Sequence, residues 1–177
     1  MIKNYPHTPL DIPISYMVFR NPLGLTGLVA SPNGLIRIIN KLSSENSIEK
    51  HLTRLTAGDI SKKPSHFKNL IRQFSLYFDG RLESFDHPLD LCLGTPFQQK
   101  VWKKLLTIPY GKTRSYKWLA QAVKNPQASR AVGNANGKNP LSIIIPCHRV
   151  VRLNGDMGGY TGGVSNKRFL LKLEQVN

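Results

Sequence analysis

Ser115-Tyr116-Lys117-Trp118-Leu119-Ala120-Gln121-Ala122-Val123-Lys124-Asn125-Pro126-Gln127-Ala128-Ser129-Arg130-Ala131-Val132-Gly133-Asn134-Ala135 is the stretch whose reading decides the fold of this chain. Ser115 is an N-cap residue type and opens a short helix from Tyr116 to Val123. Lys124-Asn125-Pro126 turns the chain, and a further helix runs roughly from Ala128 to Ala135. Two short helices joined by such a turn, in a basic segment, predict a helix-turn-helix.

The flanks extend the pattern. Upstream, Thr95-Pro96-Phe97-Gln98 has the form of a capping box with proline at the first helical position. Phe97, Val101, Trp102, Leu105 and Leu106 then form a buried helix face, which Ile108-Pro109-Tyr110-Gly111 ends. Downstream, Val150 to Asp156 carries the Asn154-Gly155 hairpin signal, which would add a wing. A last helix is expected over 165–175, burying Phe169, Leu170 and Leu173. The first half reads differently. Tyr16–Arg20, Gly27–Ser31 and Leu35–Asn40 are short strands, the last two joined by a Ser31-Pro32-Asn33-Gly34 turn. Helices are expected from Ser47 to Leu55, and after Pro64-Ser65 on a face of Phe67, Leu70, Ile71, Phe74, Tyr77 and Phe78. The class is therefore α+β: an N-terminal domain over residues 1–91, a small antiparallel sheet with helices, and a C-terminal winged helix-turn-helix-like domain over 92–177.

Charge separates the same halves. Of the net +15, residues 1–90 contribute +3 (11 Lys/Arg against 8 Asp/Glu) and residues 91–177 contribute +12 (14 against 2). A basic module beside a near-neutral one points to a polyanion. No stretch pairs a basic face with a large apolar one, which argues against a membrane surface. Two cysteines, Cys92 and Cys147, imply no disulfide framework, and a soluble cytoplasmic protein is expected.

Chemistry concentrates in Ile143-Ile144-Ile145-Pro146-Cys147-His148-Arg149-Val150. Apolar neighbours alone make a thiol inert, whereas an adjacent imidazole and guanidinium favour the nucleophilic thiolate. Cys147 therefore reads as a partly buried nucleophile. His148, the sole histidine after residue 92, is the natural base. A carboxylate to orient it must be Asp156 or Glu174, the two acids after residue 91. The helix Ser129-Arg130-Ala131-Val132-Gly133 is unusual for a reader of bases, because base-edge recognition uses long polar side chains. Small residues let a backbone come close to DNA, and Arg130 is the one long cation projecting from them.

These motifs together resemble the O6-alkylguanine–DNA alkyltransferases, the methylated-DNA–protein-cysteine methyltransferases. The resemblance rests on Asn139-Pro140, Pro146-Cys147-His148-Arg149, Ser129 to Gly133, Ile108 to Gly111, Ser115-Tyr116, Gly159-Tyr160-Thr161-Gly162-Gly163, and Leu170 followed by Glu174. It covers Gly94 to Glu174; the first half resembles the family loosely. It implies a ribonuclease H-like N-terminal domain and the repair of double-stranded DNA by direct reversal. Cys147 would irreversibly accept the alkyl group of O6-alkylguanine and, less well, of O4-alkylthymine. The product thioether has no carbonyl for water to attack, so each chain acts once, as a monomer. The resemblance also assigns Glu174 to orient His148, a bridging water between His148 and Cys147, Asn139 to tie the turn, and Tyr116 to donate to the base ring. Tyr160 and Thr161 would wall the pocket, Thr161 standing where serine is common. Arg130 would fill the gap left by a flipped base, and Ser129, Ala131, Gly133 and Arg149 would lie at the DNA. No metal or other cofactor is implied, since no cysteine precedes Cys92. A cysteine hydrolase would need a histidine across a cleft, and the other four lie in the first half. The remaining alternative, a helix-turn-helix regulator without transferase activity, explains the charge but not Pro146–Arg149.

Overall fold

A computed structural model describes residues 9–175, which divide into two compact units, one through Leu93 and one from Gly94. In the first unit, β1 (Ile14–Asn21), β2 (Gly24–Ser31) and β3 (Gly34–Ile39) form two successive hairpins, paired from Ser15↔Ala30 to Asn21↔Gly24 and from Gly27↔Ile39 to Ser31↔Gly34. Alternation along β1 sends its side chains to two faces. Ile14 and Val18 join Val29, Ile36, Ile39, Leu42, Ile48, Leu52 and Leu55 in one core cluster. A short 3-10 helix (Asn46–Ile48) and α1 (Glu49–Leu52) supply part of that cluster. Phe19 meets Phe74 at 5.3 Å between ring centroids, on the long helix α2. That helix spans Pro64–Phe78 and buries Phe67, Leu70, Gln73, Phe74 and Tyr77. Gly80, at φ +70°, ends it, letting Arg81 N–H reach the Leu76 carbonyl at 2.8 Å.

Two expectations are corrected here. The sheet is mixed, with order β3-β2-β1-β4, because β4 (Ile60–Lys62) joins β1 in parallel. A three-residue strand whose side chains are largely exposed carries no apolar alternation, so the pattern hid it. The helix expected over Ser47–Leu55 is one 3-10 turn followed by four helical residues.

The second unit is mostly helical. In α3 (Pro96–Leu105) the Thr95 hydroxyl accepts from Gln98 N–H at 3.3 Å, and the Gln98 side chain accepts from Thr95 N–H at 2.9 Å. Ser115 caps α4 (Tyr116–Ala122), accepting from Trp118 N–H at 3.1 Å. The turn closes with Asn125 N–H on the Ala120 carbonyl at 3.0 Å, and α5 (Ser129–Gly137) follows. Trp102, fully buried, donates its indole N–H to the Ala135 carbonyl at 2.8 Å and so locks α3 to α5. Val150–Val151 (β6) does not begin a hairpin wing; it pairs in parallel with Arg114–Ser115 (β5). The Asn154-Gly155 turn does form, with Arg152 N–H on the Asp156 carbonyl at 2.8 Å. The run after Met157 is Gly158-Gly159-Tyr160-Thr161-Gly162-Gly163, and four glycines in six residues leave too few side chains to pack a returning strand.

The last helix, α6 (Val164–Leu173), turns a different face inward from the one expected. Phe169 is 40% exposed, while Lys167, Leu170, Leu171 and Glu174 are buried. Those four follow the i, i+3, i+4, i+7 spacing of a helical stripe. Two ionisable residues thus lie on the core face, and hydrophobicity alone pointed one position away. Among the described residues no helix is long and apolar enough to cross a membrane.

The Trp102 lock can be measured. Trp102→Phe keeps most of the apolar bulk but leaves the Ala135 carbonyl without its donor. Urea unfolding is expected to show a loss of about 1–3 kcal/mol, the cost of one buried unsatisfied group.

Candidate active site

Residues 139–149 form a turn tied mostly by backbone. Asn139 Oδ1 accepts from Leu141 N–H at 2.9 Å, and its Nδ2 donates to the Ile145 carbonyl at 2.8 Å. Ile145 N–H reaches the Leu141 carbonyl at 2.9 Å, and Cys147 N–H the Ile145 carbonyl at 2.8 Å. Between them Ile143 holds φ +78°, a conformation that β-branched residues rarely adopt. Such strain costs on the order of 1–3 kcal/mol and persists only where the surroundings over-determine it. Here the buried side chains of Ile143, Ile144 and Ile145 and both ends of Asn139 do so. Cys147, His148 and Arg149 follow as one 3-10 turn.

Cys147 is 5% exposed, and its burial pushes the thiol above the ordinary cysteine range. Hydrogen bonds to its sulfur from Asn139 and Tyr160, and the Lys167 ammonium nearby, favour the thiolate but do not outweigh burial. Tyr160 sits well above the usual phenol range, through burial first and then Cys147, so it keeps its proton and donates. Tyr116 is also raised, by burial and then by Cys147. Cys92 is exposed, and its thiol is pushed up to about 11 by partial burial and then by Asp90.

His148 is fully buried, with Nε2 2.8 Å from Glu174 Oε1. The same carboxylate accepts Arg149 Nε on Oε2 at 2.8 Å and Arg149 Nη2 on Oε1 at 2.9 Å. A carboxylate that accepts a bidentate guanidinium is an acceptor toward the imidazole too, so His148 Nε2 carries the hydrogen. Burial, with Arg149 and Lys167, holds His148 below its ordinary range despite Glu174. At neutral pH the imidazole is therefore uncharged and its Nδ1 is free to accept. Asp156, the other acid considered, lies in the exposed turn bonded to Asn154.

Arg149 departs from expectation on two counts. Its guanidinium faces Glu174 and not the thiol, so it does not supply the thiolate's cation. It is also 6% exposed, with Nη1 on the Ile108 carbonyl at 2.6 Å and the Tyr110 ring 5.7 Å away. With those donors engaged inside the domain, it is not a DNA-contacting residue. The Tyr110 hydroxyl donates to the Leu173 carbonyl at 3.1 Å, so the Ile108–Gly111 segment braces both Arg149 and the end of α6.

Sequence reasoning missed Lys167. It is fully buried, and its ammonium donates to the Val150 carbonyl at 2.5 Å and to the Met157 carbonyl. It thereby joins the strand after the Cys147 turn to the segment leading to Tyr160. Burial lowers it to about 8, with Cys147 opposing that shift. A lysine on an otherwise ordinary basic helix carries no sequence signal of this role.

The remaining residues face outward. On α5, Arg130 and Ala131 are exposed, and Ser129 and Gly133 half-buried; a Cβ on Gly133 would sit 3.7 Å from the Tyr116 ring. Lys100, Lys103, Lys112, Arg114, Lys117, Lys124 and Lys138 are exposed, while Lys104 and Arg114 flank Trp118 at 5.7 and 5.6 Å. Thr161 donates its hydroxyl to the Gly137 carbonyl at 2.6 Å.

Residues 96–176 match the family model described as 6-O-methylguanine DNA methyltransferase, DNA binding domain. The methylated-DNA–protein-cysteine methyltransferase of Mycobacterium tuberculosis is 44% identical over 162 residues, covering 92% of this chain and 93% of its own. That of Methanosarcina barkeri is 43% identical, covering 92% and 98%. This chain belongs to the methylated-DNA–protein-cysteine methyltransferase family. Among solved structures, the Mycobacterium tuberculosis O6-methylguanine methyltransferase superposes with a TM-score of 0.78 at 42% identity, covering 92% of this chain and 93% of its own. The Mycobacterium tuberculosis OGT crystallised in complex with DNA gives 0.76 at 41%, covering 91% and 92%. The similarity to these methyltransferases thus extends over both units, including the first, which the motifs did not cover.

Replacing Lys167 tests its electrostatic part. Removing a cation beside a buried thiol disfavours the thiolate, so Lys167→Met is expected to raise the Cys147 pKa. Each unit of rise lowers reactivity at neutral pH about tenfold. The check is the pH dependence of iodoacetamide alkylation at Cys147, followed by peptide mass; an unchanged profile would assign Lys167 to loop anchoring alone.

Proposed function

We propose that this chain repairs alkylated double-stranded DNA by transferring the alkyl group of O6-alkylguanine irreversibly to Cys147. The observation that carries this reading is the buried sequence of thiol, neutral imidazole and carboxylate, with two protein donors on the sulfur. In the transfer, the bond between the alkyl carbon and O6 breaks as the carbon–sulfur bond forms. The thiol proton passes toward His148 Nδ1, Glu174 stabilises the imidazolium, and the guanine anion takes a proton, with Tyr116 as donor. Asn139 holds the turn, and Tyr160 both donates to the sulfur and walls the pocket. Thr161, whose hydroxyl hydrogen is held by the Gly137 carbonyl, walls the pocket without donating to the base oxygen. O4-alkylthymine presents the same alkylated-oxygen chemistry and would react less well.

The target atom lies inside the duplex, so the base must leave the stack. In this reading α5 comes close to the DNA backbone through its small residues, Ser129, Ala131 and Gly133, and Arg130 occupies the space of the extruded base. The second unit is then a winged helix-turn-helix whose wing is a loop, and the first a ribonuclease H-like companion. All reacting groups come from one chain, which suits a monomer acting in the cytoplasm without metal or cofactor. A regulator without transferase activity would leave the Cys147–His148–Glu174 arrangement with no task.

Intact-protein mass after mixing with duplex DNA carrying one O6-methylguanine tests the reading. One methyl per chain is expected, mapped to Cys147 and not to Cys92; repeated turnover or an adduct elsewhere would refute it. His148→Ala and Glu174→Gln are each expected to slow transfer strongly with DNA affinity nearly unchanged. Arg130→Ala separates flipping from chemistry. Duplex repair, which must unstack a base at a cost of about a few kcal/mol, is expected to fall far more than reaction with the free alkylated base. Equal losses on the two substrates would remove the intercalating role.

A further inference from the structure

Among the described residues, two side-chain polar atoms are buried without a partner: His148 Nδ1 and Asn136 Oδ1. Asn136 was not singled out by the sequence. It lies on α5, 4% exposed, and its Nδ2 donates to the Cys147 carbonyl at 3.3 Å. That carbonyl belongs to the peptide joining Cys147 to His148, so the carboxamide lies against the same turn as the imidazole.

The chemistry of the two atoms is the same. A carbonyl only accepts, so the group facing it is the amide nitrogen, and Asn136 Oδ1 is left as an acceptor. Glu174 fixes the hydrogen of His148 on Nε2, so Nδ1 is an acceptor as well. Two acceptors cannot satisfy each other, and a buried acceptor without a donor costs about 1–3 kcal/mol. A water offers two hydrogens, one for each, and retains lone pairs for the Cys147 thiol proton. Buried waters typically make about three such bonds. The other titratable or charged groups around the turn are Lys167 and Glu174 from the last helix, Arg149, Tyr116 and Tyr160. Arg149 and Lys167 already have acceptors, and the Tyr160 hydroxyl donates to the sulfur.

We propose that Asn136 is a positioning residue of the proton relay: its Oδ1 and His148 Nδ1 share one water, which takes the thiol proton of Cys147. This rests on the alkyl-transfer reading, and it adds what holds the relay in place. The thiol proton goes to the water oxygen as one water hydrogen goes to Nδ1. Water is regenerated, the thiol becomes thiolate and the imidazole becomes imidazolium. Because Oδ1 has bound one of the two hydrogens, the other points at Nδ1 and a lone pair is left for the thiol. Without Oδ1 the water would be free to rotate or to leave.

The test uses the whole chain and iodoacetamide, so it does not depend on DNA. Asn136→Ala is expected to shift the pH profile of Cys147 alkylation upward and slow it at neutral pH about tenfold, the loss that one pKa unit produces. In the His148→Ala background the same substitution is expected to add almost nothing, since the relay is already broken. An unshifted profile, or an undiminished loss in that background, would overturn the proposal in favour of simple packing. Should the variant not fold, a high-resolution crystal structure of the unaltered protein decides. A water within hydrogen-bond distance of both Asn136 Oδ1 and His148 Nδ1 supports the proposal, and its absence, or a water touching only one, overturns it. Methyl transfer from O6-methylguanine DNA to the unaltered protein, measured in parallel, reports separately on the alkyl-transfer reading.

Discussion

The Glu174 carboxylate is the constraint on which the catalytic unit depends. It accepts one imidazole N–H and two guanidinium N–H groups with no exposure to solvent. Through Arg149 it is tied to the Ile108 carbonyl, and through the neighbouring helix end to Tyr110. The segment before β5, the Cys147–Arg149 turn and the end of α6 thus meet at a single buried charge. Such an arrangement is poor value as stability, because desolvating ions costs several kcal/mol each and an apolar replacement often does as well. Its return is position. The pair fixes which imidazole nitrogen carries the hydrogen, and therefore which one is left to take a proton.

Much of this unit was legible in the sequence because its signals are local. Thr95, Ser115 and Gly111 act within a few residues of themselves, and Pro146-Cys147-His148-Arg149 is contiguous. What was not legible depends on burial that a sequence does not display. Arg149 reads as a cation for the thiolate and for the DNA, yet it is an internal strut. Lys167 reads like a solvated helix position, yet it is fully buried between two carbonyls. Phe169 reads like core because it is large, whereas the packed stripe is set by Lys167 and Glu174 one step around the helix. In the first unit the three strands and the hairpin at Ser31–Gly34 followed from β-like runs and turn residues, while the pairing of β1 with β2 was not read and β4 is recruited by a neighbour and has no pattern of its own.

The resting site is electrically quiet. Burial raises the thiol and lowers the imidazole, so both are neutral before reaction. Every other group then works on the charged pair that proton transfer creates. Asn139, Tyr160 and Lys167 favour the thiolate, and Glu174 favours the imidazolium. A permanently ionised thiolate would meet any small electrophile, and a thioether, once formed, is not undone. For a residue that can react only once, a buried thiol that ionises as its substrate arrives is the safer state.

The same division of labour separates outside from inside. The surface lysines act at a distance and without regard to sequence, as phosphate attraction does. Nothing in that field can tell a damaged base from a sound one. In the proposed reaction discrimination would come from what the interior accepts once the base has left the stack, where an alkyl carbon would have to reach a sulfur with two donors on it. The lean face of α5 connects the two regimes. Its outer side carries small residues and the exposed Arg130, the groups that the proposed function sets against the DNA, and its inner side carries Asn136 against the carbonyl of Cys147. One nine-residue helix thus presents an exposed, lean surface with Arg130 on one side and touches the Cys147 turn through buried Asn136 on the other, so the proposed binding and the chemistry would share a single rigid element.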